Sequence, residues 1–186
     1  MSLLVVTQPI AEPVTVEEVK LRLRLSTTDD DALIASHITT AREFAESVTG
    51  WSLAAKDYAD VRDGFPYQSE HIWLPRPPLV SVTAIKYLDD NYEWQTWDPL
   101  EYWVADANYP ACVTPRALGY PRPNRTPGSV RIEFTTGSGG YGPHLEGVRQ
   151  LAAHLYEHPE VITPESLKEM PKALTEFFKV KRVHTF

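Results

Sequence analysis

One stretch, residues 28–50, constrains the fold most because it reads as a single long amphipathic helix. Its apolar residues recur at three- and four-residue spacing: Ile34, Ile38, Ala41, Ala45 and Val48, with Leu33, His37 and Phe44 widening the stripe. Thr28 suits the N-cap, three aspartates at 29–31 suit the first turn, and Gly50 suits the position after the helix. A stripe this wide must be buried by other elements of the chain.

Length, charge and cysteine content exclude several classes of protein. A chain of 186 residues suggests one domain, or one domain with a large insertion. The net charge of −7 argues against general affinity for nucleic acid, and the single Cys112 excludes an intrachain disulfide and a cysteine-based zinc cluster. There is no apolar run of about 18 residues and no signal peptide in residues 1–10, so no membrane association is predicted.

A shorter helix is predicted before the central one, over residues 15–25. Thr15 and Glu18 form a capping box at its start, and Leu21 with Leu25 is predicted to make apolar contacts. The short connection to the central helix predicts an antiparallel helical hairpin.

After Gly50 the amino-acid composition of the chain changes. Residues 56–143 hold 11 of the 16 prolines and four of the five tryptophans. Runs of β-type residues separated by turn signals predict short strands at 58–62, 71–74, 80–88, 94–97, 102–105 and 130–135. Residues 80–87 alternate, which places Val80, Val82, Ala84 and Lys86 on one side. Residues 109–127, rich in proline and arginine, are predicted to be a long loop.

The helical period returns after Pro143. Leu145, Val148, Ala152 and Leu155 share one face of a helix that ends before Pro159. A last helix follows Pro171, and residues 179–186 (KVKRVHTF) are predicted to be an extended tail.

The predicted fold class is therefore α+β, with N- and C-terminal helices forming a small bundle around an inserted antiparallel β region. The predicted divisions are an N-terminal helical hairpin at 1–56 and an inserted β region with long loops at 57–143. The C-terminal helices at 144–178 complete the bundle, and 179–186 form the tail.

Two motifs offer enzymatic alternatives. His154, Glu157 and His158 match H-x-x-E-H, in which two imidazoles and a general base serve a small zinc hydrolase. The competing interpretation is a helix C-terminus that favours histidine. Residues 137–142 match G-x-G-x-x-G, but no βαβ unit follows, so a flexible connector explains them better.

Other candidate sites have simpler explanations as well. Cys112 lacks a partner pattern for a nucleophile, and the aspartates at 29–31 suit a helix start better than a metal site. Clustered aromatic residues, among them Trp94 and Trp97, leave open a carbohydrate- or receptor-binding β module. No catalytic, cofactor-binding or metal-ligating residue is predicted.

Several segments, taken in order, resemble one known family. They are VTVEEVKLRLRL from Val14, DDDALIASHITTAREFAESVTGW from Asp29, WLPRPPLVSVTAIKYLD from Trp73, IEFTTGSG from Ile132, VRQLAAHLYEHPE from Val148 and MPKALTEFFKVKRV from Met170. This series is similar to the head–tail connectors, or neck adaptors, of long-tailed bacteriophages and gene transfer agents. Family members share an A-R-x-x-x-E-x-x-T-G helix end and an A-H-x-Y-E helix.

The resemblance implies a structural protein of the virion neck, assembled in the cytoplasm of a bacterial host, and neither an enzyme nor a cofactor-binding protein. Such adaptors form a ring beneath the portal protein, expected to be a dodecamer, which extends the DNA channel. Their other partner is the next neck or tail-completion protein, a stopper or tail terminator. DNA passes through without specific binding.

The resemblance also implies a docking segment at the C-terminus, which extends from the ring onto the portal. Here it comprises Phe178, Lys179, Val180, Lys181, Arg182, Val183, His184, Thr185 and Phe186. An extended segment of alternating valine and basic residues suits strand addition or charge pairing on an acidic surface.

Overall fold

The computed structural model of the chain describes residues 2–67, 70–116, 119–137, 141–158 and 172–179. It divides into two compact units. The sheet unit comprises Met1–Ile10 and Ala55–Ser138, and the helical unit comprises Ala11–Ala54 and Gly139–Phe186. Helices and antiparallel sheets together confirm the predicted α+β class.

The described residues of the sheet unit form eight strands in two antiparallel sheets. The strands are β1 (Ser2–Thr7), β2 (Lys56–Arg62), β3 (Ile72–Leu74), β4 (Leu79–Leu88), β5 (Trp94–Thr96), β6 (Tyr102–Ala105), β7 (Ala111–Pro115) and β8 (Val130–Thr136). One sheet has five strands in the order β1-β2-β8-β4-β5, and the other has three in the order β3-β7-β6. A single 3-10 turn, Pro99–Glu101, precedes β6.

Strand β8 lies at the centre of the five-stranded sheet and alternates strictly. Val130, Ile132 and Phe134 are buried in the core, while the residues between them are half-buried. This core also contains an aromatic cluster in which Phe65 stacks on Tyr120 at 5.1 Å and Trp97 contacts Tyr102 at 4.8 Å, measured between ring centroids. The large residues of this region therefore fill a core, as a small sheet requires.

The predicted alternation of β4 is wrong. Its pairing with β8 shifts register between Leu79 and Ser81 and again between Val82 and Ala84. Each irregularity adds one residue and moves the next side chain to the other face. Ile85 is consequently buried, whereas Val80 is exposed.

The predicted loop at 109–127 is also wrong in part, because β7 is the central strand of the three-stranded sheet. Cys112 and Val113 are buried there. Two of the five prolines in this segment lie at the margins of the strand, where a missing N–H is tolerated: Pro110 precedes it and Pro115 ends it.

The later part of the same segment is fastened to the β4–β5 turn. Asn124 donates its backbone N–H to Leu88 O at 2.8 Å and its side-chain amide to Asp89 O at 3.0 Å. The Asp89 carboxylate accepts from the N–H groups of Glu93 and Asn91, and from the Gln95 side chain. These hydrogen bonds, the one from Glu93 foremost, lower the pKa of Asp89.

The helical unit contains α1 (Val16–Leu23), α2 (Asp31–Thr49), α3 (Gly142–Glu157) and α4 (Lys172–Lys179). The predicted capping box of α1 is confirmed, with Thr15 N–H donating to Glu18 at 2.8 Å and Glu18 N–H donating to Thr15 Oγ1 at 3.2 Å. Leu21 is 80% exposed and lies outside the core, whereas Leu25 packs against the core. No helix among the described residues is long and apolar enough to cross a bilayer.

Helix α2 packs against α1, α3 and α4. Asp30, not Thr28, is its N-cap, because Thr28 O accepts from Asp31 N–H in a turn ahead of the helix. The aspartates at its start make tertiary contacts: Lys20 Nζ lies 2.7 Å from Asp31, and the Tyr156 hydroxyl donates to Asp30 at 2.7 Å. They thus join α2 to its neighbours.

A buried charge network lies on the core-facing side of α2. The guanidinium of Arg42, only 2% exposed, contacts Glu12 at 2.7 Å and Glu46 at 3.0 Å. Glu46 is itself buried and accepts the N–H groups of Leu53 and Ala54, just beyond the helix. The network therefore joins the segment before α1, the body of α2 and the segment after α2.

We predict that Arg42→Ala lowers the free energy of unfolding by about 3–5 kcal/mol, because it removes the buried guanidinium that pairs with both Glu12 and Glu46. Urea titration monitored by circular dichroism measures the change. Glu43→Ala is the matched control: Glu43 is exposed, lies 3.5 Å from the same guanidinium and should contribute less than about 1 kcal/mol. An Arg42→Ala loss no larger than that of the control would contradict the structural role of the network.

Candidate interaction surfaces

The last described helix, α4, is anchored in the helical unit by one aromatic ring. Phe178 is 1% exposed and meets Phe44 edge-on at 6.0 Å between centroids. It also lies against Gly147 of α3, where an added Cβ would be 2.6 Å from the Phe178 ring. Gly147 thus leaves room for the Phe178 ring.

The structure places the predicted docking residues in two different settings. Phe178 is a core residue of the helical unit, so its side chain is not available for docking. Lys179 is exposed and pairs with Glu176 in the same helix. The remaining seven lie outside the described residues: Val180, Lys181, Arg182, Val183, His184, Thr185 and Phe186.

The H-x-x-E-H residues lie at the end of α3, as the sequence indicates. The rings of His154 and His158 are 4.6 Å apart between centroids, and the N–H of His158, the C-cap, bonds to His154 O. Burial, followed by repulsion from His158, lowers the pKa of His154. In the part of the chain that the structure describes, no third ligating side chain joins them. Among the described residues, therefore, the pair is not accompanied by the third protein ligand that a catalytic zinc site requires.

The two tryptophans named for the predicted sugar-binding surface, Trp94 and Trp97, do not share one surface. Trp97 is 3% exposed and donates its indole N–H to Glu101 at 2.9 Å, whereas Trp94 is 52% exposed. Trp97 belongs to the core, so a stacking surface formed by these two residues is absent. The alternative function as a carbohydrate-binding module has no geometric support at these positions.

The other motifs also have structural roles. Gly137 has φ 82°, a backbone conformation that favours glycine, and ends β8, while 138–140 lie outside the described residues. Cys112 is buried in β7, whereas reactive thiols are partly exposed and lie in electropositive surroundings.

One surface escaped the sequence analysis: β1 forms an edge of the five-stranded sheet. Leu4, Val5 and Val6 are each about half exposed, at 50%, 46% and 55%. An uncharged apolar strand with a free edge is ready to pair with another strand. The run of apolar and β-branched residues before Gln8-Pro9 is the signal that predicts this strand.

Comparison with known proteins identifies the family. Residues 13–88, which cover α1 through β4, match the family model described as phage gp6-like head-tail connector protein. The sequence of this region is similar to that of the connector family. The resemblance inferred from the sequence motifs, and with it the structural connector role, is confirmed. No curated protein matches the sequence significantly.

Solved structures share the fold of the connector over its whole length. A chain in the neck of an empty gene transfer agent particle, computed with C6 symmetry, has TM-score 0.81 and 22% identity. Chains from the virion of the native particle and from its neck, computed with C12 symmetry, have TM-scores of 0.76 and 0.77 and 21% identity. Each match covers 100% of the connector and 97% of the solved chain.

We predict that Gly147→Ala destabilises the helical unit of the connector by about 1–3 kcal/mol, despite the better helix propensity of alanine, because the new Cβ collides with Phe178. Thermal unfolding measures the effect. Gly142→Ala in the same helix meets nothing within 4 Å and should be close to neutral. Adding Phe178→Leu to Gly147→Ala should recover part of the loss; strictly additive effects would contradict the contact.

Proposed function

We propose that the protein forms a ring beneath the portal of a phage or gene-transfer-agent particle and joins the capsid to the next neck or tail protein. The observation that carries the proposal is the connector-family match of residues 13–88, on a fold shared with virion neck chains over its whole length. The reported C6 and C12 symmetries of the matched necks support a cyclic assembly, expected to hold twelve copies on the portal.

In this proposal the protein contributes no chemistry of its own. It lengthens the channel through which DNA moves and presents a surface to a stopper or tail terminator. A net charge of −7 suits this role because cationic channel walls would bind the DNA phosphates and slow the passage of DNA. We accordingly assign it no enzymatic activity, no cofactor and no specific DNA site.

We further propose that the segment after Phe178 makes the portal contact. The buried Phe178 ring holds the start of this segment, so the positions that follow extend from a fixed support. Lys179, Lys181 and Arg182 are basic and no acidic residue follows them, which suits docking on an acidic surface. Ordering an extended segment costs entropy, and twelve such contacts on one ring compensate through multivalency.

Removal of Val180, Lys181, Arg182, Val183, His184, Thr185 and Phe186 tests the docking segment. We predict an unchanged thermal unfolding temperature and loss of co-sedimentation with assembled portal rings. Lys181→Glu with Arg182→Glu should weaken binding, most strongly at low salt, whereas the control Lys181→Arg with Arg182→Lys should bind nearly normally. Full binding by the truncated chain would exclude this segment, and no binding by the intact chain would exclude the connector assembly itself.

A further inference from the structure

A groove of about 420 Å³ in the sheet unit lies between parts of its two sheets. One wall is the beginning of β4, including Val80 and Val82, and the other is β6, including Trp103 and Val104. β5 pairs with β4 only at Lys86, Tyr87 and Leu88. β6 is an edge strand of the three-stranded sheet. Among the described strands, none covers the outer edge of β4 over residues 79–84. The groove is therefore bordered by strand edges that can accept another strand.

The groove has a mixed lining in which polar groups alternate with apolar side chains on both walls. Val80 is 47% exposed and Trp103 is 59% exposed, so both offer area that an occupant would bury. The Arg116 guanidinium lies 3.7 Å from the Trp103 ring centroid and donates to Tyr102 O at 3.1 Å, which fixes the aromatic wall. Arg116 and Asp106, of opposite charge, line the same groove. Their charges balance, so the groove favours an uncharged segment.

We propose that this groove receives the free edge of β1 from a second copy of the same chain, an inference that rests on the proposed ring. β1 supplies six residues without a charged side chain, SLLVVT, and three of them carry large, half-exposed apolar groups. The basic tail after Phe178 is a poorer occupant because the groove offers it no net negative charge. The match in charge, polarity and strand length points to β1.

The positions of the two surfaces also fit a ring. β1 forms one edge of the five-stranded sheet, and the groove lies beside β4, which is separated from β1 by β2 and β8. An interface that joins two different patches is heterologous, and a heterologous interface that repeats by rotation closes a ring. Each copy would then donate one strand and accept one strand, as in strand addition.

The size of the contact predicts when the ring forms. One six-residue strand buries much less than the roughly 1,600 Å² of a standard stable interface. Two isolated copies should therefore associate weakly. Copies held side by side on a portal ring gain the contact at high effective concentration. The inference thus places this contact between neighbours that are already docked.

Disulfide trapping tests the pairing directly. Leu4→Cys is combined in turn with Val80→Cys and with Val104→Cys, and each double variant is oxidised on assembled portal rings. We expect a ladder of covalent multimers from at least one of the two double variants. Variants with only one introduced cysteine should form none, because a head-to-tail contact separates equivalent positions of neighbouring copies. The native Cys112 is buried and serves as the unreactive background.

Charge substitution gives a second readout that does not depend on register. Leu4→Lys should raise the concentration needed for half-maximal assembly on the portal by about tenfold or more, because it buries a charge in the groove. Tyr92→Lys, on an exposed turn of the same unit, is the control and should assemble normally.

The outcomes separate this inference from the proposed function. Rings that assemble on the portal without cross-links in either double variant, and with no effect of Leu4→Lys, would overturn the β1 contact and leave the connector function intact. A cross-link in Leu4→Cys alone would show a symmetric β1–β1 pairing and would also overturn it. Failure of the unmodified protein to assemble on the portal would overturn the proposed function.

Discussion

The buried ion pairs of the Arg42 guanidinium are the interaction on which the packing of the helical unit depends. It contacts Glu12 and Glu46, and Glu46 in turn accepts N–H groups just beyond the end of α2. Burying a charge is costly unless its partners are held in place, so the network fixes the chain on both sides of the helix. The long apolar stripe of α2 can then pack against α3 and α4 in one register.

The same network gives a physical reason for the family motif A-R-x-x-x-E-x-x-T-G. Arg42 and Glu46 are one turn apart and pair inside the unit. The Thr49 hydroxyl donates to Ala45 O and accepts from Trp51 N–H, while Gly50 takes the left-handed conformation that ends α2. The motif thus encodes the end of a helix and the path of the chain after it.

Local signals in the sequence predicted the helices and most strands because each depends on nearby residues, as the capping box of Thr15 and Glu18 shows. The two irregularities in β4 could not be predicted, since they depend on pairing with β8, which lies far along the chain. Strand β7 was not predicted because prolines lie at both of its ends and suggested a loop. The burial of Arg42 was missed because an arginine in a helix is ordinarily assigned to the solvent side.

The interaction surfaces were predictable in part. The basic composition of the C-terminal segment is visible in the sequence. The sequence analysis assigned Phe178 to the docking segment, but its packing against Phe44 and Gly147 makes it a core residue. The edge position of β1 follows from its pairing with β2, a contact across more than fifty residues of sequence. In the proposed ring, the β1 edge and the segment after Phe178 would each make a modest contact, which many copies on one ring would strengthen.

The most direct test of the central claim is the native mass of the complex between this protein and the intact portal ring of its own particle. The account predicts a discrete complex with one copy of this protein for each portal subunit. An intact portal ring that binds no copies, or binds them in a scattered and unsaturable number, would contradict it.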